Sequence, residues 1–231
     1  MNKKLIKAGE VSWVVGNILC AIGNCLISKS KFGLSSIIAP AFILHEKIEF
    51  LTVGMCEYMI QGILLVLCAI LIGRFKAKFT VTICNILFYG TAFDILNFLL
   101  QSIQPNEFIS KILCAIVGTV LTTLGVAFML RTYIPPSIYE IFVAEVAKAK
   151  SVEVDKMKLI FDTSMLALSL VMMFVLLGGF RLDMLGPFTI CTAFLNPFLI
   201  GLFGKLLDKY VDFSPAFPAL FHMLNHKNAD K

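Results

Sequence analysis

Apolar runs long enough to cross a membrane recur along this chain, separated by short polar stretches. Six of them lie at about Val11–Ile27, Leu51–Ile72, Phe79–Leu100, Ile112–Leu130, Leu159–Phe180 and Leu185–Leu207. A helix needs ~20 consecutive apolar residues to traverse a hydrocarbon core, so the pattern predicts six transmembrane helices. Two further apolar pieces, Leu34–Leu44 and Ser137–Ala147, are too short to span and have the length of re-entrant or interfacial helices. Each follows a break. Gly33 precedes the first, with Ser35 and Ser36 placed to start a new helix. Before the second, Pro135-Pro136 stops the preceding helix, and Ser137 stands at a helix-cap position. Both placements, inside the protein or flat at the interface, are open at this stage. Glu140, Glu145, Lys148 and Lys150 make the second piece amphipathic.

The order of these elements repeats. Aligning Gly16 with Gly118 brings Gly23 onto Gly125, Lys29 onto Arg131 and Ser35 onto Ser137. Further on, Gln61 falls near Asp162, Gly73 near Gly178, and Thr82-Ile83-Cys84 near Thr189-Ile190-Cys191. Each half then holds three spans with a short helix after the first. Because three is odd, the second half enters the membrane upside down, a plan common among secondary transporters. The expected architecture is all-α: a polytopic membrane protein of six transmembrane helices in two inverted three-helix repeats, at about 11–101 and 111–208. One transmembrane domain occupies the chain, ending in an interfacial tail at 209–231.

Composition agrees. Of the 231 residues, 58% are hydrophobic and 15% charged, and the mean hydropathy is +0.88. Soluble domains carry about a quarter charged residues, so lipid is the expected surrounding for most of the chain. The net charge of +5 reads as topology. With both termini cytoplasmic, only Lys29, Lys31, Lys47, Lys111 and Arg181 fall outside, which satisfies the positive-inside rule. The expected location is therefore the cell membrane, multi-pass, with N- and C-termini cytoplasmic. The basic residues are spread over four cytoplasmic segments, which gives no patch for nucleic acid. Oligomeric state is left open, a homo-oligomer included. Seven cysteines, an odd number without a Cys-x-x-Cys, argue against a disulfide framework or a zinc site.

Candidate chemistry begins with the breaks. A helix starting at Ser35 or Ser137 at membrane depth would offer free N–H groups and the positive end of its dipole to an anion. Polar residues within spans come next, because an ionisable group there is costly unless paired or wetted. Glu57 and Gln61 share one helical face, as do Asp94 and Asn97. The ordinary structural reading is that Glu57, Asp94 and Asp162 reach water from just inside the interface. The candidate substrate-binding set is Asn24, Ser35, Ser36, Glu57, Gln61, Asn85, Ser137 and Asp162. Asn196-Pro197 marks a kink in the sixth span. His222 and His226, four apart in the tail, have metal-ligand spacing, but a solvated face is the commoner meaning. No nucleophile–base set, phosphate loop or dinucleotide fingerprint occurs, so no enzyme, metal or cofactor is expected.

The Gly-containing span, the Gly/Pro break, the short helix and the Gly178-Gly179…Gly186-Pro187-Phe188 junction resemble the YczE/YyaS/YitT group of bacterial membrane proteins. Pro135-Pro136-Ser137-Ile138-Tyr139-Glu140 stands where that group carries a Gly/Pro-Trp-acid motif. The resemblance implies a permease-like function without a substrate. The expected function is thus a small-solute transporter working by alternating access. The alternatives are a substrate-capturing membrane subunit of an ATP-driven importer and a non-transporting scaffold or regulator.

Overall fold

A computed structural model describes residues 9–215, which form eight α-helices. They are α1 (Gly9–Ser30), α2 (Ala39–Lys47), α3 (Val53–Ile72), α4 (Ala77–Leu99), α5 (Phe108–Met129), α6 (Ile138–Lys150), α7 (Val154–Leu177) and α8 (Pro187–Tyr210). Six of these, all but α2 and α6, are long and apolar enough to cross a membrane. Their outward faces carry large apolar side chains such as Ile70, Val175 and Phe194, each more than two-thirds exposed, as lipid-facing helices do. This is the build of a multi-pass membrane protein. The N-terminal basic residues and most of the tail, with His222 and His226, lie outside the described residues.

Glycine sets the centre. A Cβ on Gly16 would sit 2.8 Å from the Gly125 carbonyl oxygen, and one on Gly118 would sit 2.7 Å from that of Gly23. Only residues without side chains let α1 and α5 cross this closely. The pairing is Gly16 with Gly125 and Gly23 with Gly118, so the helices run antiparallel. Between the glycine pairs, the Cys20 thiol donates to the Thr122 carbonyl oxygen at 3.4 Å. Cys20 and Thr122 are themselves equivalent in the repeat that aligns Gly16 with Gly118. Equivalent residues meeting each other, flanked by reciprocal pairs, is the mark of a two-fold axis.

The remaining packing obeys the same axis. α1 packs on α4 as α5 packs on α8, α2 on α3 as α6 on α7, and α6 on α3 as α2 on α7. Matching C-caps close α3 and α7: Gly73 and Gly178 are both left-handed, at φ 75° and 74°. The symmetry fails once. α3 lies along α4, but α7 and α8 lack that packing.

α6 is largely buried in the bundle, and α2 is buried along its first turns, with Glu46 and Lys47 exposed at its end. α6 buries Ile138, Tyr139, Ile141, Phe142, Val143, Glu145 and Val146, so several of its faces are covered by protein. α2 begins later than expected. Ser35 does not cap it; the residue before the helix is Ile38, Pro40 occupies the first turn, and the Ser35 carbonyl oxygen accepts from the N–H groups of Ile38 and Ala39. Leu34 instead lies in a non-helical segment, its N–H donating to Met184 at 2.7 Å. Gly33, at φ 116°, makes this possible: a side chain there would strike the Gly186 backbone. Pro197 does not stop α8, which runs through it.

Candidate functional site

α2 and α6 start deep in the bundle and point away from each other, α2 towards the end where α3 begins and α6 towards the end where α7 begins. A cavity of about 500 Å³ lies between the two breaks. Ser35, Ser36 and Ile38 reach it from the first break, and Ser137, Tyr139 and Glu140 from the second. α1 and α5 contribute Asn17, Asn24 and Thr122; α3 and α4 contribute Gln61 and Tyr89. α7 adds Asp155, Lys158 and Asp162, and α8 adds Thr192 and Asn196. Apolar side chains including Val126, Met129, Val143 and Ile200 make up much of the rest.

The polar walls are ordered by hydrogen bonds. Asn24 donates to the Tyr89 hydroxyl at 2.8 Å, and the Thr122 hydroxyl reaches the Asn24 carbonyl at 3.5 Å. Gln61 and Tyr139 both donate to Glu57 Oε2, at 2.7 and 2.8 Å. That bonding places Glu57 just behind the wall, 1% exposed and with no ion pair among the described residues. On α7 the matching positions carry Lys158 and Asp162, with Nζ 2.9 Å from Oδ1. An i,i+4 polar pair therefore stands at this place in each half, with Gln61, Lys158 and Asp162 lining the cavity and Glu57 behind it. Ser137 donates to the Glu140 carboxylate, so the α6 dipole meets a negative charge in its own first turn.

Of the eight residues singled out from sequence, Asn24, Ser35, Ser36, Gln61, Ser137 and Asp162 line this cavity. Glu57 stands one layer back. Asn85 is 1% exposed and does not line it, and its Oδ1 has no hydrogen-bond partner. Thr192 stands at the position corresponding to Asn85, and it does reach the cavity. Sequence reading missed Tyr89, Thr122, Asp155, Lys158 and Thr192. The Lys158/Asp162 spacing was a readable signal; Tyr89 and Thr122 carried none, being ordinary residues in apolar spans.

A second cavity, about 610 Å³, occupies the opposite end of the bundle and is lined by Ser28, Lys29, His45, Thr52, Asp94 and Asn97 among others. It stands where the two-fold axis would carry the open end of the first. Here the helices are shut. Asp94 accepts from the Thr52 hydroxyl at 2.6 Å and from the Gly54 N–H at 2.8 Å, while the Tyr58 and Thr91 hydroxyls lie 2.5 Å apart. Gly54 and Gly90 let the α3 and α4 backbones meet.

Residues 8–205 match the family model described as "Family of unknown function (DUF6198)". The chain belongs to this family. The match covers both repeats and stops inside α8, so the paired breaks and the cavity between them fall within the DUF6198 region. It carries neither the YczE/YyaS/YitT name nor a permease function. No curated protein and no solved structure matches the chain.

Proposed function

We propose that this DUF6198 protein is a secondary transporter of a small solute, working by alternating access at the interface of its two repeats. One observation carries the reading. A cavity with a largely apolar wall and polar residues from both halves lies between two broken segments at the two-fold axis, beside the α7–α8 separation at one end and the α3–α4 contact at the other. Irregular backbone at membrane depth is tolerated where it lines a cavity, and substrate sites of inverted-repeat transporters occupy this place. The α7–α8 separation supplies an opening at the end bearing Lys148, Lys150 and Lys158, and the α3–α4 contact closes the other. On this reading the open end is cytoplasmic, the membrane is the cell membrane, and kinship with the YczE/YyaS/YitT permeases follows.

The two-fold relation weighs against a substrate-capturing subunit of an ATP-driven importer, which needs no internal symmetry. Purified protein in liposomes, presented with organic cations, anions and neutral amphiphiles under imposed ion gradients, is expected to accumulate one class. Asp162→Asn is expected to lower the rate by on the order of tenfold, the usual weight of a hydrogen bond to a charged group. If no class accumulates, the protein is a scaffold or needs a partner.

A further inference from the structure

A helix start at membrane depth suggests an anion, but the charges around this cavity point the other way. Its lining holds three carboxylates, Glu140, Asp155 and Asp162, against one cation, Lys158. This excess of negative charge occurs in a chain whose net charge is +5. Arg131, at the same end of the bundle, is held by Asp208 through Nε at 2.8 Å and is not among the lining residues. The helix ends are already answered, α6 by Glu140 and α7 by Asp155 in its first turn, which leaves little positive potential for an anion.

A second observation concerns two oxygens: Asn196 Oδ1 on α8 is buried and accepts no hydrogen bond, and Asp162 Oδ1 on α7 has only its ion pair with Lys158, Nζ at 2.9 Å. Both are acceptors, so what completes Asn196, and what Asp162 can take beside Lys158, is a donor. Tyr89 and Tyr139 are also among the lining residues, and aromatic rings favour cations. Apolar side chains fill out the wall.

We infer that the cavity takes a protonated amine with an apolar body, its N–H groups shared between Asp162 and Asn196 and its hydrocarbon part lying against the apolar wall. This rests on the transporter reading for its purpose, but not for its binding. A solute of this kind partitions towards the bilayer surface, and the separation of α7 from α8 gives it a sideways entrance.

The test is equilibrium binding of fluorescent 2-(1-naphthyl)ethylammonium to the detergent-solubilised full-length protein, followed by anisotropy, with 1-naphthylacetate as the anion of similar size. The ammonium is expected to bind saturably and at least about tenfold more tightly than the acetate, the weight of one charge-assisted hydrogen bond. Asp162→Asn and, separately, Asn196→Leu are each expected to weaken it by about the same factor. A monodisperse elution profile qualifies each variant, and the second serves if the first does not fold. Equal or tighter binding of the acetate, no saturable binding of the ammonium to the wild-type protein, or unchanged affinity in the qualified variants overturns the inference. Ammonium bound but never accumulated by liposomes would defeat the transporter reading alone. Accumulation of an anion with no ammonium binding would defeat this inference alone.

Discussion

Glu145 joins α6 to the α3–α4 connection through two lysines, Lys76 and Lys78, with its own side chain only 9% exposed. Burial by itself would raise the carboxyl pKa, but the two ammonium groups outweigh it and hold the group below its ordinary value of 4.5. A carboxylate lowered in this way stabilises the fold at and above that ordinary value. The contribution is lost as pH falls below 4.5 through the lower folded value. The acid limb of a thermal-stability profile in detergent should therefore be steep in the wild type and flatter in Glu145→Gln, with the two proteins converging at the acid end. Parallel limbs would mean that the lysine pair contributes nothing. None of this was legible in sequence, where Glu145 looked like one charge on the wet side of an amphipathic helix. Its two partners are more than sixty residues away, beyond the reach of any spacing rule.

Among the elements, the crossing of α1 and α5 carries the most packing on the fewest side chains. Gly125→Ala places a methyl against the Gly16 carbonyl and the Cys20 sulfur. Overpacking of this kind costs typically about 1–3 kcal/mol. The expected result is a lowered unfolding midpoint in detergent, while Gly62→Ala, whose Cβ would meet nothing, leaves the midpoint unchanged or slightly raised. The six spans were readable because apolar length is a direct response to the bilayer. The short helices were only half readable. Ser137 does precede α6, but the first part of the Leu34–Leu44 piece, up to Ile38, forms a non-helical turn ahead of α2. Apolarity there reports burial against Met184 and Leu185, not helical geometry. The glycines gave the repeat, and only the crossing shows why: each contacts the counterpart of its neighbour, an arrangement that a linear alignment does not display.

At the scale of the molecule, the two halves share one order of elements and differ in one joint. The α3–α4 joint is closed by Asp94, Tyr58 and Thr91. Leu159 and Phe198, which stand where Tyr58 and Thr91 do, are 69% and 67% exposed. Asp94→Asn removes the charge from the contact and is expected to raise the reactivity of Cys25 and Cys56, now buried beneath it, towards a small thiol reagent. Unchanged labelling would show that the glycine contact alone keeps the joint shut. This asymmetry was invisible in sequence because both halves carry the same outline, and neither states which of them is open. On the alternating-access reading proposed above, each half outlines the arrangement the other would adopt. Under that proposal, the second conformation is the one in which α7 and α8 take the relation that α3 and α4 now have, and the reverse. Leu159→Cys combined with Phe198→Cys is expected to form a disulfide in the Asp94→Asn background and not in the wild type, so each half serves as the blueprint for the other's next position.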